Sequence, residues 1–159
     1  MNGKVPCGGL IEKGDQCLVE VLGFRRVAGE PCGILAKFGA AGIPLAYLSV
    51  GNGADGLTNM SFCVRTEDLA PHRNLLAEIR KEFEPQLVAA NAPMAILTLY
   101  GPHFLEKTSL ASQVFSALCA DGINPHTVCS SVSSISVVVD THDRDVASAC
   151  LRRRFEWPE

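Results

Sequence analysis

The sequence predicts an α+β protein of two small units, each with a four-stranded antiparallel sheet and two helices on one face. Two observations lead to this prediction. Apolar residues recur at strand and helix spacing in the order β-α-β-β-α in the second half of the chain, and the same order occurs in the first half. A unit of this kind normally closes with one more strand, which gives the ferredoxin-like (βαββαβ) arrangement.

The second half of the chain shows the pattern most clearly. A short apolar run predicts a strand at residues 94–100, and helical spacing predicts a helix at 109–120. Residues 122–140 then predict two strands joined by a serine-rich turn, and a last helix follows at 141–155. Ser109 and Thr141 stand where N-caps are expected.

The first half repeats this order with local differences. Gly23 aligns with Gly101, and the pair Gly42-Ile43 aligns with Gly122-Ile123. The predicted elements are strands at 16–22, 43–50, 58–64 and 86–90, and helices at 33–40 and 69–83. Pro71 is expected in the first turn of the second helix, where its missing N–H costs little.

The second copy lacks a closing strand after residue 155, whereas the segment at 5–11 belongs to neither copy. An open sheet edge leaves backbone groups unpaired, so we expect this segment to complete the second unit. The predicted domains are therefore residues 15–91 and residues 92–159 together with 4–11. The first unit is inserted in the second.

Composition limits the class of function. Hydrophobic residues make up 47% of the chain, charged residues 19%, and the net charge is −3, which is typical of a globular protein and does not favour nucleic acid as a partner. No apolar run approaches the roughly 20 residues of a membrane helix. The polar start of the chain lacks the apolar core of a signal peptide. We therefore expect a cytoplasmic protein without a membrane partner.

No motif predicts catalysis, a metal or a cofactor. The seven cysteines form no CxxC pair and are expected to be small buried apolar residues, and the four histidines lack a two-ligand spacing that would favour zinc. Phosphate-binding loops and nucleophile motifs are also missing, so we expect a protein that is not an enzyme. One alternative stays open, since small ferredoxin-like hydrolases use one arginine and one asparagine, here Arg25 and Asn124.

The loop at residues 24–33 is the best candidate for a binding site. It is rich in glycine and proline and leads into a predicted helix, whose first amides can hold an anion. We expect the amides of Gly33 and Ile34 to hold the carboxylate of a small amino acid, with Glu30 taking its ammonium group. The alternative is a solvated loop with two surface arginines.

Three segments carry a resemblance to a known family. They are residues 41–64 (AGIPLAYLSVGNGADGLTNMSFCV), 121–140 (DGINPHTVCSSVSSISVVVD) and 7–21 (CGGLIEKGDQCLVEV). Together they resemble the paired ACT domains at the regulatory end of aspartate kinases, and the similarity covers nearly the whole chain. The resemblance implies an allosteric, non-catalytic protein that binds an amino acid such as lysine or threonine between the first unit of one chain and the second unit of a homodimer partner.

The resemblance also implies a set of ligand-binding residues and a further partner, an aspartate kinase catalytic subunit or another metabolic enzyme. The implied ligand-binding residues are Gly29, Glu30, Cys32, Gly33, Ile34, Val50, Gly51, Thr58, Asn59, Asn124, Ser130 and Ser131. The chain departs from the family at several of these positions, for example with Val50-Gly51 where the family has Gln-Asn. A dimerisation or interaction module that has lost its ligand is therefore the alternative.

Overall fold

The computed structural model describes residues 4–102 and 104–158 and has the predicted α+β class. Within these residues six strands and five α-helices are formed, with three short 3₁₀ helices. None of the helices there is long and apolar enough to cross a bilayer. The strands are β1 (Gly9–Phe24), β2 (Tyr47–Asn52), β3 (Thr58–Arg65), β4 (Leu87–Tyr100), β5 (Thr127–Ser130) and β6 (Ser134–Asp140). The helices are α1 (Glu30–Ala40), α2 (Thr66–Leu69), α3 (Asn74–Phe83), α4 (Leu110–Ala120) and α5 (Arg144–Arg154).

Hydrogen-bonded strands follow the order β2-β3-β1-β4-β6-β5. The pairs β1/β3, β2/β3, β4/β6 and β5/β6 are antiparallel. The chain divides into two compact units, residues 15–93 and residues 1–14 with 94–159, so β1 and β4 each contribute to both.

In the unit of residues 15–93, α1 and α3 cover one face of the strands. Val19 and Val21 on β1 are buried with Phe62 on β3, and Ile34 and Ile79 supply the helix side of this core. These strand residues alternate along the chain, as expected for one face of a sheet. The two helices are also joined by an ion pair of Lys37 with Glu82, whose charged atoms lie 2.6 Å apart.

In the other unit, α4 and α5 pack on β4 and β6 around a core that includes Leu97, Val137 and Leu151. The N-terminal segment joins this unit. Gly8 N donates to the Tyr100 carbonyl at 2.7 Å, Cys7 N donates to the Glu156 carbonyl at 2.8 Å, and the Cys7 side chain is buried in the core. Cys7 and Gly8 are therefore bonded both to the end of β4 and to the residues after α5.

Both copies end their first helix in the same way. Gly42 and Gly122 have φ of 71° and 74°. The next amide of each, from Ile43 or Ile123, donates to a carbonyl five residues earlier at 3.0 Å. This is the Schellman arrangement, which places glycine where φ is positive, and it explains why the pair Gly-Ile occurs in both halves.

Two predictions of where one element ends and the next begins are wrong in kind. The single helix expected at 69–83 is divided into α2, a 3₁₀ turn (Ala70–His72) and α3. Pro71 lies in this turn because its ring is incompatible with a continuous helix interior. Conversely, the strands expected at 86–90 and 94–100 form one strand, β4, since Pro93 removes a single donor and does not end the strand.

The predicted caps are also wrong. Within the described residues Ser109 makes no capping hydrogen bond, because its hydroxyl accepts from Gln113 Nε2 at 2.9 Å instead. A 3₁₀ turn (Thr141–Asp143) moves the start of α5 to Arg144, and the hydroxyl of Thr141 is buried with no hydrogen-bond partner among residues 4–102 and 104–158.

Four of the seven cysteines are buried as predicted, namely Cys7, Cys17, Cys63 and Cys150. Burial raises the pKa of the Cys7 thiol to about 11 and that of Cys63 to about 12, so both stay neutral at physiological pH. The prediction is wrong for Cys32 and Cys119, which are exposed, and for Cys129, which is half-buried. Cys32 and Cys119 lie near the ends of α1 and α4, where helical spacing alone does not determine burial.

Candidate functional site

A cleft of about 500 Å³ lies in the unit of residues 15–93, where α1 begins beside the ends of β2 and β3. Four of the predicted ligand-binding residues line it: Gly29, Cys32, Val50 and Thr58. The structure therefore brings together residues from three separate segments of the first copy. The full lining is Arg26, Val27, Ala28, Gly29, Pro31, Cys32, Val50, Asn52 and Thr58.

Gly29 directs the chain into α1. It has φ of 99° and ψ of −23°, a conformation that glycine adopts without strain, and Glu30 and Pro31 then begin the helix. The helix therefore begins three residues earlier than predicted. Gly33 N donates to the Gly29 carbonyl at 2.7 Å, and Ile34 lies one residue further into the helix with its side chain in the core. The prediction that Gly33 and Ile34 present free amides is wrong, because their positions are inside the helix.

Glu30 has a different partner from the one expected. Its Oε1 lies 2.6 Å from Nη2 of Arg25, and only 10% of its side chain is exposed against 66% of the Arg25 side chain. Its second oxygen, Oε2, is buried and has no hydrogen-bond partner in the part of the chain that the structure describes. Glu30, Ile34 and Phe38 form the buried side of α1. The carboxylate is thus held at the start of the helix by a cation from the same loop.

The strands β2 and β3 supply the opposite part of the cleft. Val50 pairs with Met60, Gly51 with Asn59, and Asn52 with Thr58. Thr58 is buried, and its hydroxyl donates to Asn52 Oδ1 at 3.2 Å. This pair places two polar groups beside the exposed side chain of Val50.

Gly51 and Asn59 do not line the cleft. Asn59 Oδ1 instead accepts a hydrogen bond from Gly23 N at 2.9 Å, which fixes the end of β1 before the loop that leads to α1. Asn52 is absent from the predicted set, and it lies beyond the predicted end of the strand at residue 50. The alternation of side chains along a strand could have identified Asn52, since Val50 and Asn52 lie on the same side of β2.

Asn124, Ser130 and Ser131 belong to the other unit. Asn124 and Ser130 are exposed. Ser131 is exposed too, and its hydroxyl accepts from the amides of Ser133 and Ser134 at 3.3 and 3.1 Å. This side chain holds the turn between β5 and β6. Arg25 and Asn124, the pair considered for a hydrolase, likewise belong to separate units.

One group of potential metal ligands is found among the described residues. Asp140, His142 and Asp143 have ligand atoms within 4.8 Å of one another, at the start of α5. The side chain of His142 is 78% exposed. Exposed groups of this kind are common without an ion, and we assign no metal site to them.

The chain has relatives among curated aspartate kinases, although no family model matches it. One is an aspartate kinase of Pseudomonas fluorescens (strain SBW25), 22% identical over 142 residues. Another is the aspartate kinase Ask_LysC of Stutzerimonas stutzeri (strain A1501), also 22% identical over 142 residues. Each match covers 89% of this chain and 34% of the relative, so the chain spans about a third of the length of these kinases.

Several solved structures share the fold. The regulatory subunit of aspartate kinase from Thermus flavus matches with a TM-score of 0.84 and 19% identity, covering 95% of this chain and 99% of that one. The ligand-free regulatory subunit from Thermus thermophilus matches with a TM-score of 0.82 and 18% identity, covering 94% and 99%. Over most of its length, this chain is therefore similar in fold to the regulatory subunits of aspartate kinases.

Proposed function

We propose that this chain is a non-catalytic pair of ACT domains that binds a small amino acid and thereby regulates an aspartate kinase or a related metabolic enzyme. Two observations support this proposal together. The fold is similar to aspartate kinase regulatory subunits over more than nine-tenths of the chain. The cleft at the start of α1 joins the Gly29 backbone, apolar surface, Arg26 and two polar side chains in a volume suited to a small amino acid.

The two ACT domains are, in this proposal, residues 15–91 and residues 92–159 with 4–11. The strand orders β2-β3-β1-β4 and β1-β4-β6-β5 support a four-stranded sheet in each. The helix pairs α1/α3 and α4/α5 would cover these sheets. The four deeply buried thiols also fit a reducing compartment, so we place the protein in the cytoplasm.

The ligand would lie in the cleft, where its apolar part contacts Val27 and Val50 and its polar groups meet Asn52 and Thr58. Arg26 is the charged residue of the lining and is suited to the α-carboxylate. Asn124, Ser130 and Ser131 would complete the site from a partner chain, and Gly51 and Asn59 would support it through the strand pairing.

A melting-temperature screen against the twenty amino acids tests the proposal. A ligand at 100 times its dissociation constant stabilises the folded state by about 2.7 kcal/mol, so at least one amino acid should raise the melting temperature. Val50→Phe would fill the cleft and remove this shift. Leu87→Phe is the control, because Leu87 is exposed on β4 in the same unit and does not line the cleft.

If no amino acid raises the melting temperature, the interaction-module alternative is favoured instead. One observation supports that alternative: β2 is the outermost strand at one end of the described strand order, and it exposes Leu48 and Val50. An exposed apolar edge strand is a surface that another chain can cover.

A further inference from the structure

A second cavity lies in the unit of residues 15–93, where α2 and α3 meet β1 and β4. Its volume is about 320 Å³, and pockets for small molecules begin at roughly 300 Å³. Three alanines line it, Ala70, Ala90 and Ala92, and we call it the alanine pocket. It shares no lining residue with the cleft at the start of α1.

Small side chains leave the space that forms this pocket. Ala90 and Ala92 lie on one side of β4, two residues apart, and Ala70 lies in the turn between α2 and α3. Cys17 and Leu69, which also line the pocket, are only 4% and 6% exposed and belong to the core of this unit. The inner part of the pocket is therefore apolar and reaches the core.

The polar groups of the pocket are on its exposed rim. Among the described residues that line it, Arg73 is the only charged one, and Thr66 supplies a hydroxyl; both residues are exposed. The side chain of Arg73 has no ion-pair or hydrogen-bond partner in the part of the chain that the structure describes. By contrast, Arg65 is paired with Glu67, and Arg80 donates to a backbone carbonyl. Arg73 therefore places an unpaired cation beside an apolar cavity.

We propose that the alanine pocket binds a small monocarboxylate with an aliphatic tail. The tail occupies the apolar inner part, where it is removed from water, and the carboxylate stays at the rim, where Arg73 pairs with it and the Thr66 hydroxyl donates to it. An amino acid fits less well, because the lining holds no acid to pair with its ammonium group and Arg73 repels it. The pocket is thus a second site for a different class of ligand, and it does not depend on the proposed function.

Four probes separate the parts of this proposal. Hexanoate has both the tail and the carboxylate, hexanamide has the same shape without the charge, acetate has the charge without the tail, and L-norleucine adds an ammonium group to hexanoate. A ligand of this size is expected to have a dissociation constant on the order of 1 mM, which suits a chemical-shift titration of the isotope-labelled full-length chain. Hexanoate should shift the amides of the residues that line the pocket. The other three probes should bind there roughly tenfold or more weakly.

Two pairs of variants assign the binding to residues. Arg73→Gln should weaken the binding of hexanoate roughly tenfold and leave that of hexanamide unchanged, because only hexanoate carries a charge. Arg26→Gln is the matched control, since Arg26 is an exposed arginine that lines the other cleft. Ala90→Leu should fill the pocket and weaken both probes, whereas Ala28→Leu, in the lining of the cleft, should change neither.

Arg73 and Ala90 are exposed, so both variants are expected to fold, and circular dichroism melting checks this. Equal affinity for hexanoate and hexanamide, or unchanged hexanoate binding in a folded Arg73→Gln variant, would overturn the assignment of a carboxylate ligand. Shifts confined to residues 26–32 would put the probe in the cleft and overturn the second site, as would the absence of any shift. These outcomes are independent of the amino-acid screen, so the proposed function is tested separately.

Discussion

Glu12 links the first strand of the chain to its last helix through its side chain. Its carboxylate accepts hydrogen bonds from Ser148 Oγ at 2.7 Å, from Arg152 Nη2 at 3.3 Å and from Arg144 Nε at 3.4 Å. Burial by itself would raise the pKa of this carboxyl, but the three hydrogen bonds and the charge of Arg144 outweigh it, so the pKa is lowered. The folded state therefore favours the ionised form of Glu12.

Replacing Glu12 with Gln should lower the free energy of unfolding at pH 7 by roughly 1 kcal/mol, since the pairs are partly exposed. A lowered pKa contributes stability above the unfolded-state pKa, and this contribution is lost as the pH falls through the folded-state pKa. Urea unfolding of both proteins at neutral and acidic pH measures the difference, which should shrink in acid. Glu67→Gln is the control, because Glu67 is exposed and pairs with Arg65 on the surface. A difference that grows in acid would contradict the assignment.

At the scale of elements, the N-terminal segment and β1 decide how the second copy is completed. Pro6 forms a parallel bridge with Glu156, and the amides of Cys7 and Gly8 bond to carbonyls of residues 156 and 100. Val5 and Leu10 pack against the same core as Cys7. This segment therefore supplies both backbone partners and buried surface to the unit that contains α4 and α5.

Deleting residues 1–11 should destabilise that unit by on the order of 2 kcal/mol or more, because buried side chains and strand partners are removed. Hydrogen exchange on the full-length and shortened chains measures how much protection the backbone amides of each segment lose. Protection should fall in β4, β6 and α5, and the residues of β2 and β3 serve as the internal control. Equal protection of residues 94–158 in both chains would show that the segment is dispensable.

At the scale of the whole molecule, the proposed function would have the site shared between two copies of the chain. The exposed side chains of Leu48 and Val50 lie on β2, an outermost strand of the described order. Soluble oligomers most often form by two-fold pairing of the same surface, so we expect a homodimer.

Light scattering at tens of micromolar should give about twice the chain mass of 17.0 kDa. Leu48→Asp should shift the mass towards the monomer, because it puts a charge on the apolar edge. Val146→Asp is a control, since Val146 is also exposed but lies on α5 and not on the proposed edge. A wild-type monomer would argue against dimerisation and against any site completed by a partner chain.

The sequence by itself determined the α+β class, the order of the elements and the correspondence between the two halves. When one face of a strand or helix is buried, apolar residues recur along the chain with the period of that element. The spacing of Val19 and Val21 on β1 and the apolar run around Phe62 on β3 are therefore enough to indicate these strands. Helix ends that require a positive φ favour glycine, which is why Gly42 and Gly122 occupy equivalent positions in the two halves.

Only the tertiary structure decided the continuity of β4 through Pro93, the start of α1 at Glu30 and the pairing of Glu30 with Arg25. Four cleft residues and the loop at residues 24–33 were predicted, but Asn52 was not. Strand ends depend on what the neighbouring strand offers, and the partner of an acid depends on which cation the folded loop brings within reach. Strand ends and ion-pair partners both depend on distances between residues in space, which cannot be calculated from the spacing of residues along the chain.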